Sequence, residues 1–239
     1  FQIEKAAEAY KNEFPTRVQN PAPVPVPNAK GEMDPRSTLA NFSSGYNNIA
    51  VRFSAYRKYG DTVANIVGET YLVSKPISVT SIDNLCLSLE EATFDGNVPV
   101  STKNLEVVYS TEFTGDPLTT KWTAAEYSGR TIGNGFAKSQ EGKATTTKKF
   151  GVKLRGIAVG KTLHLGFRYK STDVSAPWWG IANLKLSSAG VGTGNSGNDV
   201  SAPTSEAILN EDSNGISPRE ADTVCANNNK SLIGIVNPS

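Results

Sequence analysis

Acid–base or nucleophilic catalysis in this chain would have to be built from its one histidine, His164, and from the carboxylates Glu90, Glu91, Glu112, Asp116 and Glu126. His164 stands between Leu163 and Leu165 on the polar side of an alternating run, with no Ser or Cys motif beside it. The reading is a satisfied or exposed strand histidine rather than a general base. A single histidine also removes zinc catalysis from consideration. Glycoside cleavage needs two facing carboxylates. Glu90 and Glu91 are adjacent, so on a strand they point to opposite faces, and the other acids fall on loop sequence where solvation accounts for them. The chain reads as noncatalytic.

Aromatic side chains on loops suggest binding, because a sugar ring stacks its C–H face on an indole or phenol while nearby polar groups take its hydroxyls. Trp178 and Trp179 follow Ala176-Pro177, and period two forbids both from pointing inward. Trp178, at the mouth of the strand, is the one expected to be exposed. Tyr127 and Asn134 in a Gly-rich stretch, with Glu112 and Asp116, complete the expected ligand-binding set, while Trp122 reads as a core plug. The loops 111–117, 127–134 and 175–178 would form the contact surface. Asp95 and Asn97 are candidate ligands for a structural calcium, although no regular ligand spacing accompanies them. Lys138, Lys143, Lys148, Lys149, Lys153 and Arg155 make a positive strip without interleaved aromatics, so single-stranded nucleic acid is not the expected partner.

The elements that would hold these residues are strands. Leu163, Leu165, Phe167 and Tyr169 alternate with His164, Gly166, Arg168 and Lys170. Leu85, Leu87 and Leu89 do the same, as do Leu105, Val107 and Tyr109 before the Gly115-Asp116-Pro117 break. Further runs lie at 48–54, 71–74, 145–154 and 178–186. Seven or eight such strands predict an all-β fold, a two-sheet jelly-roll sandwich over residues 42–188. Residues 3–13 read as a short amphipathic helix, with Ile3, Ala6, Ala7 and Tyr10 along one stripe. The proline-rich run 20–27 reads as a linker or strap, giving an N-terminal segment 1–41. Residues 189–239 begin with a Gly/Ser/Asn-rich linker and read as a poorly structured tail, in which 231–236 could add one strand.

Lys and Arg number 24 against 23 Asp and Glu, so no global field favours nucleic acid or an anionic membrane. No run of about 18 apolar residues is present for a membrane-spanning helix. The chain starts at Phe1 without Met, and an export signal is expected to lie outside it. Cys86 and Cys225 have no metal or redox spacing; Cys86 suits either a buried thiol in an apolar strand or a long-range disulfide.

In that order, Tyr71-Leu-Val-Ser-Lys-Pro-Ile-Ser-Val, Leu105-Glu-Val-Val-Tyr-Ser-Thr-Glu-Phe-Thr-Gly, Lys121-Trp-Thr, Gly160-Lys-Thr-Leu-His-Leu-Gly-Phe-Arg-Tyr and Trp179-Gly-Ile-Ala-Asn-Leu-Lys-Leu form a series. The series resembles the choice-of-anchor J and cleaved-adhesin jelly rolls of exported Bacteroidota surface proteins. The resemblance implies a secreted or surface-anchored module acting in adhesion or glycan binding, often with structural calcium. Ala182 stands where the family phrase has an acidic residue, which removes a hard oxygen ligand. The resulting expectation is a noncatalytic, extracellular or cell-surface module that recognises a glycan or a protein. The alternative is a structural subunit of a surface or virion assembly whose segments 1–41 and 189–239 contact neighbouring subunits. A third reading is an accessory module of a polysaccharide-degrading enzyme.

Overall fold

The computed structural model describes residues 2–22, 39–42, 51–59, 62–79, 85–94, 102–128, 148–154, 157, 160–188 and 230–235. The chain opens with helix α1 (Gln2–Glu13), whose Glu4 and Lys11 complement the helix dipole at either end. Pro15 then stops it. The strands follow as β1 (Thr16–Asn20), β2 (Ala40–Phe42), β3 (Val51–Phe53), β4 (Tyr56–Tyr59), β5 (Thr62–Asn65), β6 (Gly68–Val73), β7 (Ile77–Ser78) and β8 (Leu85–Phe94). After them come β9 (Leu105–Ser110), β10 (Thr123–Ala124), β11 (Glu126–Ser128), β12 (Lys148–Leu154), β13 (Thr162–Ser171), β14 (Trp178–Ser188) and β15 (Lys230–Gly234).

These strands make two antiparallel sheets. The front sheet runs β1-β6-β13-β9-β10 with β7 also on β13, and the back sheet runs β11-β12-β8-β14-β3-β2 with β15 also on β14. The chain passes from β3 at the back to β6 at the front, then to β8, β9, β12, β13 and β14, changing sheet at each step. β13 thereby inserts between β6 and β9, and β14 between β3 and β8. That order is the double Greek key of a jelly roll. The β4–β5 hairpin stands apart as a two-stranded sheet.

Period two fills the space between the sheets. From the front come Leu72, Leu105, Val107, Leu163, Leu165, Phe167 and Tyr169; from the back come Val51, Phe53, Leu85, Leu87, Leu89, Trp179, Ile181, Leu184 and Leu186, all buried. Each such side chain contributes about 1.5–3 kcal/mol of burial. Phe53 stacks between Tyr169 at 5.7 Å and Trp179 at 5.1 Å, and Phe167 meets Trp179 edge-on at 5.8 Å. One bulge in β14, between Ala182 and Lys185, lets Ile181 and Leu184 both reach the core across an odd spacing. Asn183 takes the left-handed conformation there, with φ 47°, which Asn tolerates better than most residues.

The N-terminal segment shares this core. Ala6, Ala7, Tyr10 and Phe14 are buried in it, with Phe14 5.3 Å from Phe167, and the N–H of Lys75 bonds the carbonyl of Glu13 at 2.8 Å. The Gln19 side chain accepts from the N–H of Leu39 at 2.8 Å, and Arg17 donates to the carbonyl of Ala40 at 3.2 Å, so β1 of one sheet is sewn to β2 of the other. At the other terminus β15 pairs with β14, and Ile233 and Ile235 enter the core. Cys86 is disulfide-bonded, and the sequence has one other cysteine, Cys225. The buried free thiol is thus set aside in favour of the bridge.

Candidate functional site

The outward row of β13 carries His164, Gly166, Arg168 and Lys170, flanked by Ser110, Val108 and Glu106 on β9 and by Val73, Tyr71 and Glu69 on β6. Period two alone sets this arrangement, since Leu163, Leu165, Phe167 and Tyr169 take the opposite face. Over one half of the row lies a strap, residues 111–122, which leaves β9 at Ser110 and returns as β10.

Short polar side chains build the strap. Oδ1 of Asp116 accepts from the N–H of Leu118 at 2.9 Å, an Asx turn. The hydroxyls of Thr120 and Thr114 donate to the Asp116 carbonyl at 2.8 and 2.9 Å, and Gly115 supplies a φ of 91°. The N–H of Glu112 bonds Oγ of Ser110 at 3.1 Å, and Nε1 of Trp122 donates to the carbonyl of Pro117 at 2.8 Å. The indole is thereby fixed in orientation against the sheet.

Under the strap lies an aromatic cluster. Trp122 stacks on Tyr71 with ring centroids 6.0 Å apart, Phe113 is 5.9 Å from Trp122, and His164 is 4.6 Å from Phe113. Tyr71 is buried, while Trp122, Phe113, His164 and Arg168 are each half-buried and so present part of their surface outward. The expectation that Trp122 plugs the core is corrected: it packs on the outside of the front sheet, over the gap that Gly166 leaves.

Beyond the rings come two cross-strand ion pairs. Nε of Arg168 bonds Oε2 of Glu106 at 2.7 Å, and its terminal nitrogen meets the same oxygen. Partial burial opposes the Arg168 charge, but the bonds to Glu106 and Tyr71 outweigh it and raise its pKa. Burial also raises the Tyr71 pKa, with the Arg168 bond acting against it. Lys170 and Glu69 follow at 3.3 Å. Burial lowers the His164 pKa, and among the described residues its enclosed Nδ1 has no hydrogen-bond partner. His164 does lie on the polar side of a regular strand, as expected, but it is neither satisfied nor fully exposed.

The residues expected to bind ligand are spread out. Glu112 and Asp116 are exposed on the strap. Trp178 opens β14 opposite Phe94, at the other end of the sandwich, and is half-exposed. Tyr127 lies in β11, opposite Val152 and thus in the row of Leu87. Asn134, Asp95 and Asn97 lie outside the described residues. Among the described residues no three His, Cys, Asp or Glu side chains come together as metal ligands, and buried Ala182 offers no ligand side chain. Glu91 faces the interior, where its Oε2 accepts from Nε1 of Trp179 at 2.9 Å.

Tyr71, Glu106, Phe113 and Arg168 were not singled out from sequence. The signal was present in part, because the outward parity of Arg168 and His164 is legible. What brings Tyr71, Phe113 and Trp122 onto them is a fold-back that no local pattern encodes.

No protein-family model matches the chain, and no curated protein matches its sequence. Among solved structures it is similar in part to the K1 cleaved adhesin domain of Lys-gingipain from Porphyromonas gingivalis, at 14% identity and TM-score 0.37 over 59% of this chain and 74% of that one. It is similar to the K3 cleaved adhesin domain of the same protein at 15% identity and TM-score 0.35, over 57% and 71%. The third is a structure of carbohydrate-binding modules from the β-sandwich superfamily, at 8% identity and TM-score 0.34, over 70% of this chain and 54% of that one.

Proposed function

We propose that this chain is a noncatalytic, exported or surface-displayed binding module of the choice-of-anchor J or cleaved-adhesin kind, which recognises a neutral glycan through the outer face of its front sheet. The observation that carries this reading is the row formed by Trp122, Tyr71, Arg168 and Glu106. A half-exposed indole supplies a stacking surface, and a guanidinium and a carboxylate beside it supply donors and acceptors for neighbouring hydroxyls.

Charge supports a neutral sugar over an acidic one. Arg168 is matched by Glu106 and Lys170 by Glu69, and on the strap Lys121 stands against Glu112 and Asp116. Among the described residues the face carries no cationic surplus to hold a carboxylate or sulfate. The disulfide at Cys86 supports an oxidising compartment, in line with an exported protein. The assembly-subunit reading drew on terminal segments thought unable to build a core. In the fold, α1 and β15 are seated in this chain's own core. No described helix is long and apolar enough to cross a membrane.

The test is titration calorimetry with neutral hexose oligosaccharides and with uronic-acid or sulfated ones, on wild type and Trp122→Ala. Binding of neutral ligands that the substitution abolishes is the expected result. Preference for the acidic ligands, or neutral binding untouched by the substitution, would overturn the reading.

A further inference from the structure

We propose that His164 makes the strap acid-sensitive, so that the strap is held down on the front sheet in its binding-competent position by the neutral imidazole and released when the ring takes a proton. The proposal rests on the reading of the outer face of that sheet as the contact surface, which it regulates. Two independent features of the geometry carry it: the His164 ring lies 4.6 Å from that of Phe113, and the enclosed Nδ1 has no hydrogen-bond partner among the described residues. Phe113 is in turn packed on Trp122, so the histidine supports the strap one ring away from its indole.

A neutral imidazole tolerates an enclosed Nδ1 lone pair. The protonated ring must place an N–H and a positive charge there, and a buried donor on a charged group needs an acceptor. The face of one Phe ring offers only weak compensation. Lifting residues 111–113 admits water to Nδ1 and removes the penalty. That motion breaks the Glu112 to Ser110 bond and unseats Phe113 from Trp122.

The described charged groups on neighbouring elements do not offset this. Glu106 on β9 is engaged by Arg168, which is on the strand of His164 itself. Lys75, after β6, pairs with Glu13 of α1 at 3.9 Å. On the strap, Glu112, Asp116 and Lys121 are exposed, as is Lys161 ahead of β13. Burial is the sole cause of the lowered His164 pKa. The closed strap therefore binds fewer protons than the open one. Closure is fully favoured above the ordinary value of 6.5 and is lost as pH falls through the lowered value.

Because the chain has one histidine, a single NMR resonance follows the titration directly. The expected result is a midpoint below 6.5, with a red shift of tryptophan emission over the same interval. That shift should be absent from Trp122→Phe, which assigns it to the strap, and from His164→Gln, which cannot take the proton. A midpoint at or above 6.5, or a shift that persists in His164→Gln, would overturn the proposal. The wild-type NMR curve decides the matter even if His164→Gln is poorly folded. A neutral oligosaccharide bound at pH 7.5 should dissociate over the same interval. If no such oligosaccharide binds at pH 7.5 while strap and histidine still titrate together, the contact-face reading fails and the acid-sensitive strap stands.

Discussion

Trp122 lies across Gly166: a Cβ added at position 166 would come within 3.0 Å of Cγ2 of Val108 and within 3.5 Å of the far edge of the indole. The glycine is thus a seat. It lets a loop indole approach a strand closely enough to hold the strap against the sheet.

Filling that seat tests the packing. Gly166→Val is expected to displace Trp122 and to cost roughly 1–3 kcal/mol, the usual range for overpacking. Gly166→Ala is milder, because a single methyl asks Val108 to shift by only a few tenths of an ångström. Urea unfolding gives the stability change, and near-ultraviolet dichroism reports whether the indole has moved. If Gly166→Val unfolds like wild type with an unchanged indole signal, the seat is not what holds the strap.

The two exposed-indole candidates make opposite predictions for ligand binding. Trp122→Ala should weaken binding by about 2 kcal/mol or more, the scale of an aromatic hot spot. Trp178→Ala, at the far end of the sandwich and on the back sheet, should leave it within a factor of about two. Calorimetry on both variants with one ligand is decisive, and the reverse pattern would move the site to the end of β14.

Legibility in the sequence followed the range of the interaction. The run Leu163, Leu165, Phe167 and Tyr169 was readable because alternation is local, and all four face the core. Ala6, Ala7 and Tyr10 were readable as a helical stripe for the same reason, and they too are buried. Parity failed to resolve the Trp178-Trp179 pair, because the bulge at Asn183 shifts the frame: Trp179 shares parity with Ile181, yet Leu184 is also in the core. Trp122 was misread since a loop residue has no parity, and only the Asp116 turn and the space over Gly166 bring it onto Tyr71. Asp116 was noticed as a polar loop residue, but its Oδ1 is committed to the turn. The pairing of Cys86 joins segments far apart in sequence, and composition says nothing about such closure.

Reduction of that bridge should cost stability without erasing the fold. With Cys225 as the only other cysteine, the closed loop covers more than half of the chain, and loops of this length are worth about 2–5 kcal/mol in restricted unfolded-state entropy. The jelly-roll strands β3 to β14 do not depend on the bridge for their pairing, whereas β15 is reached only through the C-terminal segment. Denaturation with and without reductant measures the loss. Hydrogen exchange should show the amides of β15 losing protection before those of β13. Equal stability in both conditions would argue that the bridge does not restrain the unfolded chain as supposed.

Inside the core, Trp179→Phe separates hydrogen bonding from packing. Phe retains a ring for the stack on Phe53 but lacks the N–H that Trp179 gives to the Glu91 carboxylate. Taking one donor from a buried charged acceptor costs about 1.5–3 kcal/mol, and the smaller ring adds a cavity term of similar sign. The double variant Trp179→Phe with Glu91→Leu removes the carboxylate along with its donor. It should recover part of the loss, because the carboxylate that had lost a donor is then gone as well. A double-mutant cycle from urea unfolding gives the coupling directly. A value near zero would mean that Glu91 is held by its other contacts, and that the Trp179 N–H contributes little to specifying how β8 and β14 meet.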